Sequence, residues 1–158
     1  MSASKLLTAF AAMALLAACS SEPETAAAGG AGGAGAGAIR PGSQEDLRAN
    51  VGDRVLFQSD SSVVSASERP VLERQARWMQ QHSAVQVTVE GHADERGTRE
   101  YNLALGQRRA NAARDILVAN GVSQARVQTV SFGKDRPEAL GSDESAWAQN
   151  RRAVTVVR

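Results

Sequence analysis

Residues 51–158 predict an α/β fold, a two-layer sandwich in which helices pack on one side of a small mixed β-sheet. Two observations carry that prediction. Val85, Val87 and Val89 alternate with Gln86, Thr88 and Glu90, the period-two pattern of a strand with one buried face. Apolar stripes at helical spacing flank that strand in the chain, and strand-like and helix-like segments go on alternating to the end.

Regular patterning begins near Val51, and Val55-Leu56-Phe57 reads as a short strand before a polar loop at 58–62. Ser65 or Ser67 is expected to cap a helix running to about His82, with Val71, Leu72, Ala76, Trp78 and Met79 on one stripe. Pro70 is tolerable only near a first turn, which leaves the start of that helix open. After the valine strand, residues 91–97 read as a loop, and Thr98 is placed to cap a long helix reaching Asn120. Leu103, Ala110, Ala113 and Leu117 form its expected inner face. Asn120-Gly121-Val122 fits a glycine C-terminal cap with its apolar contact. Residues 127–132 predict a third strand, 144–149 a short helix and 153–157 a last strand.

Of the 158 residues, 42% are hydrophobic and 22% charged, the balance of an ordinary globular protein. Eighteen Lys and Arg against 17 Asp and Glu leave a net charge of +1, which argues against a nucleic-acid partner. A single cysteine excludes an internal disulfide, and two histidines leave little material for a metal centre. No cofactor is implied.

Residues 1–18 read as a signal segment rather than as part of the fold. Lys5 supplies a positive start, and residues 6–18 are an Ala/Leu-rich apolar run, too short to span a bilayer comfortably. The run ends in Leu16-Ala17-Ala18 directly before Cys19, the only cysteine. That arrangement resembles a bacterial lipobox. The resemblance implies acylation of Cys19, and Ser20 in place of an aspartate favours the outer membrane. Acyl chains contribute about 0.8 kcal/mol per buried methylene, so two or more anchor a protein in effect permanently.

Residues 19–50 are read as a flexible tether. From Ser20 to Gly42 the composition collapses to little but Ala, Gly, Ser, Glu and Pro, and 29–38 is nothing but Gly and Ala. Such a stretch has too little apolar surface to offset its ordering entropy. A chain of about 30 such residues spans roughly 30 Å on average and about 100 Å when extended.

The densest polar cluster is Glu90-Gly91-His92-Ala93-Asp94-Glu95-Arg96-Gly97, at the carboxyl end of the valine strand, where ligand sites gather in α/β folds. On the following helix Asn102 and Arg109 stand two turns apart and share a stripe, while Arg108 is turned about 100° away. A carboxylate beside an amide and a guanidinium suits a zwitterion, the acid holding an ammonium and the arginine fork a carboxylate. The same residues also suit a plain ion pair, and spacing does not separate the two readings.

The runs 87–98 (VTVEGHADERGT), 100–110 (EYNLALGQRRA), 130–134 (VSFGK) and 150–154 (NRRAV) resemble the peptidoglycan-associated lipoprotein family and its OmpA C-terminal-like domain, over residues 50–158. The resemblance implies non-covalent binding of the diaminopimelate-containing stem peptide of peptidoglycan, with Asp94 and Arg109 holding the ligand. It implies supporting contacts from Asn102 and Arg151, and backbone near Asp60 along the site. It further implies a periplasmic domain tied to the outer membrane, with a TolB-type propeller protein and other Tol–Pal components as partners in envelope integrity and constriction at division. The first strand departs from the family's aromatic-rich pattern: Val55-Leu56-Phe57-Gln58-Ser59-Asp60 is only loosely similar.

Two rivals stand beside that reading. One is a peptidoglycan hydrolase using His92, Asp94 and Glu95, although a catalytic zinc usually takes three protein ligands and His82 belongs to a different helix. The other is a wall anchor of a motor or porin complex. As a strut rather than a ligand, His92 would serve as a hydrogen-bonding group beside the loop.

Overall fold

The computed structural model describes residues 39–158. Cys19, the signal segment and the Gly/Ala run lie outside the described residues. The elements are α1 (Gln44–Asp46) continuing as a π-helical turn (Leu47–Val51), β1 (Arg54–Leu56), α2 (Arg69–Gln81), β2 (Val87–His92), α3 (Arg99–Ala119), β3 (Val127–Gly133), α4 (Glu144–Asn150) and β4 (Arg152–Val157). The sheet order is β1-β4-β2-β3. β2 and β3 run parallel, and β4 lies antiparallel to both β1 and β2, so the sheet is mixed as predicted. Val55, Val87, Val89, Val127 and Ala153 from the sheet meet Leu72, Ala76, Met79, Ala110, Ala113 and Leu117 from α2 and α3 in one core.

The fold begins earlier than Val51, and the tether boundary at residue 50 is corrected accordingly. Ser43 caps α1 by accepting from the Asp46 amide, and Leu47 is fully buried in the core. Asp46 accepts from the Trp78 indole at 2.9 Å. The Gln44 side chain donates to the Thr155 carbonyl and accepts from the Val157 amide, continuing the ladder of β4 where the short β1 has stopped. Ser43-x-x-Asp46 is the only local signal of this segment, and the bond that ties it to the domain, from Trp78 to Asp46, spans 32 residues.

Helix α2 also starts differently. Neither Ser65 nor Ser67 caps it: their hydroxyls bond each other, and Glu68 at the cap position makes no capping bond, its carboxylate accepting from the Leu56 amide instead. The Ser65 carbonyl instead accepts from the amides of Glu68 and Arg69, a backbone turn that leads into the helix ahead of Pro70. At the other end, Arg126 donates to the carbonyls of Met79, His82 and Val85, each at 2.8 Å, and so closes the turn from α2 towards β2.

Helix α3 follows its sequence signals closely. Thr98 accepts from the Tyr101 amide, and Gly121 and Val122 donate to the carbonyls of Val118 and Leu117, the two bonds of a Schellman cap. Gly121 takes the left-handed φ of 90° that the motif requires. The buried stripe comprises Asn102, Leu105, Gly106, Arg109, Ala110, Ala113 and Leu117, whereas Leu103, expected inside, is half-buried at the helix margin.

The helix sits unusually low on the sheet because glycine faces glycine. A Cβ on Gly91 would lie 1.8 Å from the Gly106 carbonyl oxygen, and one on Gly106 would lie 2.8 Å from the Gly91 carbonyl oxygen. A glycine inside a helix costs about 1 kcal/mol of propensity. The close approach it permits carries Asn102 and Arg109 down to the end of β2. Gly91→Ala should therefore destabilise the fold by about 3 kcal/mol or more, the upper end of overpacking penalties, seen as a lower urea midpoint of the purified protein. An unchanged midpoint would mean that helix and strand can part without loss.

Candidate binding site

Strand β2 continues to His92, taking in the first two residues of the expected loop. The loop at 93–98 then crosses the top of α3 and is held from several sides. The Ala93 amide donates to the Gly133 carbonyl, and Lys134 Nζ donates to the carbonyls of Glu95 and Gly97. Asn102 Nδ2 donates to the Arg96 carbonyl at 2.8 Å, so this buried amide fixes the loop from below.

Arg109 is completely buried, and its guanidinium donates to the carbonyls of Ser61 (2.8 Å), His92 (2.8 Å) and Gln58 (3.1 Å). Burial draws its pKa down to about 10, against the upward pull of Asp94, so it stays charged at neutral pH. Three of its five N–H groups are committed in this way, leaving one on each terminal nitrogen. The β1–α2 loop wraps around this side chain and holds Asp60 at φ 53°, a left-handed conformation that aspartate tolerates better than most side chains. The Asp60 carboxylate accepts from the Tyr101 hydroxyl.

Asp94 is buried and carries two cations. Arg96 Nη2 lies 2.6 Å from one of its oxygens, while Arg96 Nε and backbone N each reach the other at 3.2 Å. Behind it, Arg151 Nη1 stands 3.5 Å away, a charge contact too long for a good hydrogen bond. Burial pushes the Asp94 carboxyl up, but the hydrogen bonds and charge of Arg96, with the Arg151 guanidinium behind, outweigh that and hold it below the usual carboxylate range.

Asp60, Asp94, Asn102 and Arg109 line one cavity of about 270 Å³. Of the five residues expected to hold or support the ligand, Arg151 alone does not line it; it braces Asp94 from behind, tied to the Phe57 carbonyl and to Glu144. Arg96, Tyr101 and Leu105 complete the walls and were not singled out beforehand. Arg96 lay in the polar cluster, and only its contact with Asp94 marks it. Arg108 is exposed, as helix geometry requires. The cavity thus offers carboxylates and guanidiniums within one small space beside Leu105, a set of groups complementary in charge to a zwitterion.

His92 contributes its carbonyl to this arrangement and not its ring. The imidazole is buried against Phe132, centroid to centroid 5.6 Å, and neither ring nitrogen has a hydrogen-bond partner among the described residues. The strut expected of it is therefore supplied by its backbone. Glu90 is 3.6 Å from Nε2.

In comparisons with known proteins, residues 56–151 match the OmpA family. A peptidoglycan-associated lipoprotein of Mesorhizobium japonicum is 51% identical over 152 residues, covering 96% of this chain and 90% of the relative. One from Agrobacterium fabrum is 54% identical over 130 residues, 82% of this chain and 73% of its own. Among solved structures, the peptidoglycan-associated lipoprotein from Burkholderia pseudomallei superposes with a TM-score of 0.66 at 45% identity, over 67% of this chain and 90% of that one. The C-terminal domain of MotB from Helicobacter pylori gives 0.63 at 21% identity, over 67% and 84%, a likeness of fold alone.

The His92 ring predicts an acid response. Burial first, then the charges of Arg152 and Arg136, lower its pKa from 6.5 to about 4. The unfolded chain takes up the proton first as pH falls, so this contribution is complete above about pH 6.5 and is lost towards pH 4. The loss should approach roughly 3 kcal/mol across that window. Urea titrations at several pH values should show a shallower decline for His92→Leu than for the parent chain; equal slopes would mean that the ring does not titrate in this window.

Proposed function

Because the chain belongs to the OmpA family and, within it, to the peptidoglycan-associated lipoproteins, we propose that it is an outer-membrane lipoprotein that grips peptidoglycan without reacting with it. Acylated Cys19 is the anchor in this proposal, the Gly/Ala-rich run is the tether, and the folded domain faces the periplasm. The ligand is the diaminopimelate residue of a stem peptide. Its ammonium meets Asp94 and its carboxylate takes the two N–H groups that Arg109 has not given to the loop. Asn102 and Arg151 act one step back, the first holding the loop and the second bracing Asp94. Asp60 and Tyr101 form the rim.

The observation that carries this reading is the sharing of one cavity by Asp94 and Arg109, both buried and both charged. The two ends of the domain support it. The chain enters at residues 39–44, where Gly42 lies beside Val85 and Gln44 bonds the Val157 amide. The cavity opens at the opposite end of β2, about 20 Å away by strand rise. A domain pulled between membrane and wall would be loaded along its strands. A hydrolase reading loses its histidine, since the His92 ring packs on Phe132 and does not line the cavity. Recognition of a TolB-type propeller protein and other Tol–Pal components, with a role in envelope integrity and constriction at division, belongs to the same proposal by family.

Two experiments test it. Cys19→Ser should release the protein from the outer-membrane fraction; retention after a high-salt wash would remove the covalent anchor from the proposal. Asp94→Asn should weaken binding of a diaminopimelate stem peptide by 2–5 kcal/mol, roughly 30-fold or more, because the ligand ammonium loses its buried partner. Arg108→Ala is the control and should stay within about 2-fold, as expected of an exposed charge. Arg109→Ala is a poor probe, since it strands three carbonyls and loosens the loop itself. Amidating the ligand carboxylate asks the same question and leaves the protein intact. If Arg108→Ala does more damage than Asp94→Asn, the assigned face of α3 is wrong.

A further inference from the structure

The Asp94 carboxylate is engaged from two sides by the protein's own cations. Arg96 covers it from the solvent side with Nη2 at 2.6 Å and Nε at 3.2 Å, and Arg151 backs it from the protein side at 3.5 Å. The two arginines differ in freedom. The Arg151 side chain is 6% exposed and is tied to the Phe57 carbonyl and Glu144, whereas that of Arg96 is 42% exposed. An ammonium arriving from the cavity therefore meets a carboxylate whose front is closed by a cation that can move.

Resting on the stem-peptide reading above, we propose that Arg96 is a resident counter-ion which the ligand ammonium displaces, so that binding exchanges one cation for another at Asp94. The structure provides what such an exchange needs. Arg96 lies 4.3 Å over the Trp147 ring, a stacking surface that can keep the guanidinium after it leaves the carboxylate. The indole is itself fixed, donating from Nε1 to Glu95 at 3.1 Å. The Arg96 backbone stays in place throughout, because its amide bonds Asp94 and its carbonyl accepts from Asn102. Only the side chain has to swing.

The exchange makes the site selective. Replacing one cation by another gains little, so a simple amine has no advantage over Arg96. A ligand that also brings a carboxylate to Arg109 gains the surplus that drives the exchange. Arg96 would thus be a positioning residue that sets specificity by competing with the ligand, and not a group that grips it.

The test uses the detergent-solubilised protein and a diaminopimelate stem tripeptide, titrated calorimetrically at low and high salt. Arg96→Met keeps a stem to stack on Trp147 and removes the competing charge. It should tighten binding roughly 3- to 5-fold, the scale of one partly exposed ion pair. Its affinity should also depend more steeply on salt than the parent's, since a new ion pair is then formed without one being broken. A tripeptide acetylated on the diaminopimelate amine should show neither change. Arg96→Gln, which retains a polar contact for Ser59, should behave like Arg96→Met and guards against a packing artefact. If both variants bind the tripeptide no better than the parent while Asp94→Asn abolishes binding, the stem-peptide site stands and the counter-ion proposal is overturned. If Asp94→Asn binds normally, the site reading fails and the proposal with it.

Discussion

A guanidinium with no solvent exposure sits where the β1–α2 loop, β2 and α3 meet, and it satisfies three backbone carbonyls at once. Burying a charge is costly unless it is fully bonded, and a loop that turns its carbonyls inward is costly unless something donates to them. Arg109 and the loop solve each other's problem. Residues 58–61 can then fold inward over the helix, Asp60 can be held in a left-handed conformation, and the cavity acquires a wall. Arg126 solves the same problem at the far end of β2, where it gathers three carbonyls of the α2–β2 turn. Both turns lack a repetitive backbone ladder, and a long cationic fork stands in for one.

The contact of Gly91 with Gly106 sets the depth at which Arg109 operates. With any side chain at either position the helix would ride higher, and the guanidinium would no longer reach the His92 carbonyl at 2.8 Å. Ordinary hydrophobic burial drives α3 onto the sheet through Ala110, Ala113 and Leu117, but it is indifferent to an ångström of height. The glycine pair decides that height. Local helix propensity is given up at Gly106 and is returned through packing.

Each charge at the cavity is answered by the protein itself. Asp94 answers Arg96 and Arg151, Asp60 bonds Tyr101, and Arg109 is held by carbonyl dipoles with the Asp94 charge nearby. Charges so neutralised within the protein do not pull the fold apart. Of the two cations on Asp94, Arg96 is the more exposed, and separating ions in contact with water costs less.

Much of this was legible in the chain. The alternation from Val87 on (Val85 falls in the turn before β2), the Thr98 cap, the Asn120-Gly121 stop and the shared stripe of Asn102 and Arg109 are local statements, set by side-chain period and backbone preference, and each takes the form the residues dictate. The acidic-basic cluster at the end of β2 pointed to the cavity for the same reason. What the sequence could not disclose are bonds between residues far apart: Leu47 entering the core, Gln44 extending the ladder of β4, Arg96 capping Asp94 while stacked on Trp147, and Arg151 standing behind rather than inside the cavity. The serine caps expected at α2 failed on the same ground, since a hydroxyl bonds whichever group the tertiary structure brings to it. Periodicity is a property of neighbours along the chain and can be read there; the pairing of buried charges is a property of neighbours in space, and only the packed molecule decides it.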